Sequence, residues 1–246
     1  MDKNKKQWFW IGGAVIIMIV LGIGYKLGYR IQNNFMIGRL GTLTMTLPLQ
    51  NTSVFVDNNA KISTTKDNET VNISLSPRKH NIIVSKESYF PWTKNVTMPS
   101  NGKINLSPIF VSQNATGQII NQNDPEYWKI KNLIDTNELP TKDSPLISFD
   151  KSVKVWVENN TVVADINGNL KTIIKPDTII RNLSFYKNRS DALIFSTSDS
   201  VYMIETDTNN IQNFMPIYGG QSPRFVESDS DYIYVEDGQV LMQVMI

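Results

Sequence analysis

His80 is the chain's one histidine, and the chain has no cysteine. Thiol catalysis, disulfides and cysteine metal sites are thereby excluded. A lone imidazole is also read as excluding serine triads, HExxH zinc sites and multi-histidine metal centres. His80 follows a basic turn and precedes a strand, which suits a sheet-edge side chain better than a catalyst. Two carboxylates, Glu205 and Asp207, have the residue types of a glycosidase pair, but they stand at the end of one strand with no aromatic cleft in the surrounding sequence, so they read as structural. Glu227, Asp229 and Asp231 with Asp237 offer oxygen ligands for Ca²⁺. Their spacing lacks the D-x-D-x-D-G loop with its distal Glu, and they read as turn and solvation residues. Trp92 reads as a packing residue against a neighbouring sheet edge, with sugar stacking as the alternative. No catalytic, cofactor-binding or metal residue is assigned, and no cofactor is expected.

The elements that would position these residues begin with an apolar run. From Gln7 to Tyr25 there is no charge, and as a helix this stretch reaches about 28 Å, close to the hydrocarbon thickness of a bilayer. Trp8, Phe9 and Trp10 at one end, with Tyr25 and Tyr29 at the other, suit the headgroup level. Lys3, Lys5 and Lys6 precede the run and Lys26, Arg30 and Arg39 follow it, so charge alone leaves the orientation balanced. The short leading tail favours a signal anchor with a cytoplasmic amino terminus and an exported bulk. A cleaved signal peptide, with Gly22 and Gly24 before the cleavage site, is the rival. Gly24 and Gly28 form a small-xxx-small pair, read as the glycine content usual in spanning helices. The net charge of +1, from 24 basic and 23 acidic residues, provides no basic stripe for nucleic acid. Sequons at Asn51, Asn68, Asn95 and Asn114 follow from the abundance of Asn, Ser and Thr.

Residues 41–111 alternate in short runs. Leu43, Met45 and Leu47 share one face, as do Val54 and Val56, Val71, Ile73 and Leu75, and Ile82 and Val84, with weaker runs at 96–98 and 104–106. Asp57-Asn58-Asn59, Ser76-Pro77-Arg78 and Pro99-Ser100-Asn101-Gly102 punctuate them as turns, which predicts a small antiparallel β-sandwich. Val54-Phe55-Val56-Asp57-Asn58, the run His80, Ile82, Val84, the pair Ser88-Tyr89, and Pro91-Trp92 with Lys94 resemble the pattern of a PEGA domain. Asn58 and Ser88 stand where that family has Gly, and Leu49-Gln50-Asn51-Thr52 replaces its name-giving tetrapeptide. The resemblance implies a cell-surface or envelope module without catalytic residues.

Residues 112–143 read as a linker with a short helix, capped by Asp124, with Pro125 at its first position and Tyr127, Ile130 and Ile134 on one face. From 144 to 246 an internal repeat steps by about 39 residues. Trp156, Phe195 and Tyr234 correspond, as do Val162, Val201 and Val240, and Ile147, Tyr186 and Phe225. Each unit reads as a β-meander with tight turns at Glu158-Asn159-Asn160, Asn167-Gly168 and Asp237-Gly238. Residues 170–174 and 211–215 supply fourth strands to the first two units, and the third unit lacks one.

The sequence therefore predicts an all-β protein with one N-terminal transmembrane α-helix, carrying a PEGA-like antiparallel sandwich and about three propeller-like β-meander repeats. Its domains are a tail and anchor (1–28), a juxtamembrane linker (29–40), the sandwich (41–111), a linker (112–143) and the repeats (144–246). The expected function is non-enzymatic: a membrane-anchored extracytoplasmic scaffold or adhesion module, with a cell-wall or surface polymer or another envelope protein as partner. A carbohydrate-active enzyme on a degenerate propeller and an extracytoplasmic ligand sensor are the alternatives. The unfinished third unit is expected either to be covered by the linker around 127–134 or to pair with a second chain.

Overall fold

The structure is a computed structural model that describes residues 3–31, 37–114, 116–228 and 231–246, with side chains in the first helix from Trp10 onward. The side chains of Lys3, Lys5, Lys6, Trp8, Phe9 and Arg30, and all of Asp229, lie outside the described residues. The chain is mostly β and forms two compact units, one of residues 1–82 and 95–108, the other of 83–94 and 109–246.

In the first unit, α1 (Lys3–Lys26) contains no proline or charge within its apolar stretch and ends where Gly28 adopts φ +85°, the left-handed conformation that closes helices. Residues 10–23 are exposed around the whole helix. Among the described residues no helix is long and apolar enough to cross a membrane. The stretch read as a juxtamembrane linker carries a small antiparallel hairpin, β1 (Tyr29–Ile31) with β2 (Ile37–Arg39).

Then follow β3 (Gly41–Leu47), β4 (Ser53–Val56), β5 (Asn59–Ser63), β6 (Glu69–Leu75), β7 (Lys79–Ser85), β8 (Trp92–Thr97) and β9 (Lys103–Leu106). They make a three-stranded sheet, β6-β3-β9, and a four-stranded one, β5-β4-β7-β8. The alternation is realised as burial of Leu43, Met45, Leu47, Val54, Val56, Val71, Ile73, Leu75, Ile82 and Val84. One expectation is corrected. The sandwich is not wholly antiparallel, because β9 lies parallel to β3, pairing Thr42 with Lys103 through Met45 with Leu106. A Cβ at Gly41 would meet the Met98 side chain and crowd the Gly102 carbonyl, which accepts the Thr42 N–H just before β9. The tip of the β7–β8 hairpin, residues 83–94, groups with the second unit.

The second unit contains β10 (Gly117–Ile120), α2 (Tyr127–Asp135) and, among its described residues, eleven further strands: β11 (Leu146–Ile147), β12 (Val153–Glu158), β13 (Thr161–Ile166), β14 (Asn169–Ile174), β15 (Ile180–Phe185), β16 (Ala192–Thr197), β17 (Ser200–Glu205), β18 (Phe214–Gly219), β19 (Arg224–Glu227), β20 (Tyr232–Asp237) and β21 (Val240–Met245). They form three four-stranded antiparallel sheets, β11-β12-β13-β14, β15-β16-β17-β18 and β10-β21-β20-β19. The third sheet does have a fourth strand. It is β10, from the stretch read as a linker, whose Gly117 to Ile120 pair with Val244 to Leu241. Gly117 is required there, since a Cβ would meet the Gln243 carbonyl. The helix exists where expected, starting two residues later at Tyr127, and buries Tyr127, Ile130 and Ile134 against Leu241, with Val226 and Tyr234 beside them. Its cap is corrected: Glu126 occupies the N-cap without a side-chain bond, while Asp124 accepts the Asn121 N–H instead.

The repeat is real in architecture, but its register shifts by one residue in the third unit. The first-to-second step between equivalent hairpins is 39 residues and the second-to-third step is 40. The residue matching Trp156 and Phe195 is therefore buried Val235, not Tyr234, and the one matching Val162 and Val201 is buried Leu241, not half-exposed Val240. A one-residue slip moves every side chain to the other face, so the core selects this register. The third set fails as well, because the pairings make Ile147 equivalent to Phe185 and Glu227 and not to Tyr186 and Phe225. The fourth strand of the second sheet begins at Phe214 rather than at Ile211.

Two measurements check this fold. Ile82→Ala is expected to cost about 2–5 kcal/mol in urea unfolding, as for a packed core residue; a change within about 0.5 kcal/mol would contradict its burial. Gly117→Val should drive β10 off β21 and expose that edge, so light scattering of a soluble fragment, residues 42–246, should turn from monomer to concentration-dependent association. An unchanged monomer would mean β10 does not close the sheet.

Candidate functional site

β7 brings His80 into the sandwich interior. With β4 on one side and β8 on the other, β7 is not an edge, and His80 is 3% exposed, so its reading as a sheet-edge side chain is corrected. The exclusion of a serine triad is also too broad, because a triad needs only one histidine. Asp57 Oδ2 lies 2.9 Å from His80 Nδ1, and Ser76 Oγ lies 3.4 Å from Nε2. The residue types are those of a triad. Its chemistry is blocked, since Nε2 lies 2.8 Å from the Ser76 carbonyl oxygen and must present its proton there, while Arg78 Nε donates to the serine oxygen. A base that must donate at Nε2 cannot take a hydroxyl proton. Burial alone would raise the Asp57 carboxyl, but His80, the Asn81 N–H and Arg78 outweigh it and hold Asp57 below the usual range. The group works as a turn lock for Asp57 and Asn58, both in left-handed conformation.

The second constellation gathers on Glu205, the last residue of β17. Successive same-face residues of β8, Trp92 and Lys94, reach it: the Trp92 indole donates to Oε1 at 2.7 Å and Lys94 Nζ to Oε2 at 2.9 Å. The Asn213 amide adds a bond to Oε2 at 3.0 Å. Asn213 also pairs with both backbone groups of Thr93, accepting its N–H and donating to its C=O at 2.9 Å each. β8 is the outer strand of its sheet, and this carboxamide takes the place of a neighbouring strand. Asp207, more exposed, completes the set 3.1 Å from Lys94. Burial pushes the Lys94 ammonium down, yet the bonds and charges of Glu205 and Asp207 more than offset it and hold it above its ordinary value. Burial likewise raises Asp207, and Asn210, the Asn209 N–H and Lys94 bring it below the usual range.

Sequence reading singles out Glu205, Asp207 and Trp92 and misses that Lys94 and Asn213 join them. Lys94 stands in the PEGA-like pattern, but nothing local links it or Asn213 to Glu205, because Lys94 and Glu205 lie 111 residues apart. Both oxygens of Glu205 are engaged and the group is 4% exposed, so the two carboxylates do not flank a substrate cleft. Trp92, 3% exposed, has no free face for a sugar.

Of the remaining acidic residues that are described, Asp237 stands apart from Glu227 and Asp231, which both meet Lys187. Asp237 accepts the Tyr218 hydroxyl and the N–H groups of Gln221 and Ser222, while Asp231 pairs with Lys187 and Glu227 accepts the Lys187 N–H. Among the described residues no cluster of three or more His, Cys, Asp or Glu could hold a metal ion. A shallow cavity of about 140 Å³ lies beside β10, lined by Gly117, Ile119, Tyr218, Met242 and Val244, and is small for an organic ligand. Compared with known proteins, the chain matches no family model and no curated protein.

Glu205→Gln removes the carboxylate that Lys94 is buried against and is expected to cost about 3–5 kcal/mol in urea unfolding. Asp207→Asn, at a site more open to solvent, should cost about 1 kcal/mol or less. Equal small effects would refute the structural role of Glu205. Glu227 supplies a pH test. Burial raises its carboxyl to about 7 against opposition from the Lys187 N–H, Ser184 and the Lys187 charge. A folded value raised above the unfolded 4.5 contributes stability that is complete below 4.5 and lost as pH rises through about 7. Unfolding free energies measured across that range should fall with pH, and Glu227→Gln should flatten the slope.

Proposed function

We propose that this protein is a non-enzymatic, single-pass membrane protein of the cell envelope, with a cytoplasmic amino terminus, whose extracytoplasmic sandwich and sheet array act as a scaffold or adhesion surface. The observation that carries the reading is α1. Its apolar side chains from Ile11 to Ile23 are exposed around the helix, and an exposed apolar surface of that extent in water demands a cover. In sequence, the uncharged stretch from Gln7 to Tyr25 that contains these residues matches a bilayer's hydrocarbon core in length.

The resemblance to a PEGA domain is supported by the backbone. Asn58 and Ser88, which stand where the family pattern has Gly, have φ of 63° and 66°, the conformation that makes Gly the default. Two four-stranded meanders and a three-stranded one completed by β10, at a period near 40 residues, support the propeller-like reading of the second unit. The engagement of His80 Nε2 by a carbonyl and of Glu205 by three donors supports a non-catalytic role. The partner of such a surface is a cell-wall or surface polymer or another envelope protein.

Protease added to spheroplasts should digest the chain beyond Arg39 and leave a protected fragment containing residues 10–26. Full protection of residues 127–246 would overturn the exported orientation, and a mature amino terminus beyond Gly24 would replace the anchor by a cleaved signal peptide.

A further inference from the structure

The junction between α1 and the sandwich is hydrogen-bonded on both sides. At the helix end, Arg39 Nε donates to the Leu27 carbonyl at 3.2 Å and the Leu40 N–H donates to the Gly28 carbonyl at 2.9 Å. A guanidinium at the Leu27 carbonyl also complements the negative end of the helix. On the sandwich side, the Arg39 N–H donates to Ser100 Oγ at 3.0 Å and the Asn101 N–H donates to the Arg39 carbonyl at 3.1 Å. The Thr42 N–H then bonds to the Gly102 carbonyl at 2.9 Å. One residue thus touches the turn that ends the helix and the 99–102 turn of the sandwich.

We propose that Arg39 is a clasp that seats the 99–102 turn in the phosphate layer of the lipid bilayer, so that the sandwich stands on the headgroups instead of hanging from a tether. This rests on the reading of α1 as the membrane anchor. The polar layer on each side of a bilayer is about 5–8 Å thick. Tyr25, with its ring exposed, marks the boundary, and Leu27 lies about 3 Å further along the helix axis. Arg39 holds Leu27 by its side chain and Ser100 and Asn101 by its backbone, so the turn cannot lie far above that layer while these bonds persist. Lys26 and Arg39 are both exposed at this end of the unit and supply cations for lipid phosphates.

The absence of native cysteine makes the test direct. Full-length Lys103→Cys protein carrying bimane on the introduced thiol is reconstituted into phosphatidylcholine–phosphatidylglycerol vesicles, with and without a headgroup nitroxide lipid. Bimane fluorescence at position 103 should be strongly quenched, and Arg39→Ala should remove most of that quenching while flotation with vesicles is unchanged. Hydrogen exchange at the Leu43 and Ile73 amides verifies that the sandwich stays folded. If Arg39→Ala unfolds it, Ser100→Ala carries the same expectation through the bond it removes. Flotation without quenching would overturn the seating but leave the anchor. Quenching that survives both substitutions would overturn the clasp, and failure to float would overturn the anchor reading and this inference with it.

Discussion

The pairing of β10 with β21 is the contact on which the second unit depends. A sheet that ends in an unpaired strand presents a row of backbone donors and acceptors, and three consecutive meanders with a missing last strand would present it beside the core. The chain solves this by laying down residues 117–120 before the first of these sheets begins, and returning to them with its last strand. The helix between β10 and the first sheet then covers the same third sheet with Tyr127, Ile130 and Ile134. Strand and helix from one connector therefore stabilise the part of the repeat that the repeat itself leaves incomplete.

The Glu205 constellation meets the same problem at a second place. The outer edge of β8 is met at Thr93 by a side-chain amide, and the residues on either side of Thr93 turn toward a buried carboxylate. A buried charge is tolerable only when its hydrogen bonds are filled. Glu205 has donors from an indole, an ammonium and an amide. What looks in one dimension like half of an acid pair is in three dimensions a fastener.

The alternation of Leu43, Met45 and Leu47 and the helical spacing of Tyr127, Ile130 and Ile134 were legible because local periodicity reports burial directly. The parallel placement of β9, the identity of the closing strand and the convergence of Lys94 and Asn213 on Glu205 were not, since each joins segments distant in sequence and has no period of its own. The repeat stood between these cases. Its length was readable, but the extra residue in the third unit moved Tyr234 and Val240 off the positions that Val235 and Leu241 occupy, and only packing reveals that. Some of the asparagines have a local role. Among the described residues, seven of the eleven non-glycine positions at positive φ are Asn, which tolerates the left-handed conformation that tight turns impose.

The distant closure also sets an order of events during biosynthesis. Strands β3 to β8 can find partners while the rest of the chain is still emerging, but β10 leaves the ribosome roughly a hundred residues or more before the strand it must join, a separation at which native contacts form slowly. Through that interval its N–H and C=O groups and the apolar face of α2 have no native partner. The third sheet is thus the last to be assembled, and the nascent chain before that moment is the species most exposed to chaperones and proteases.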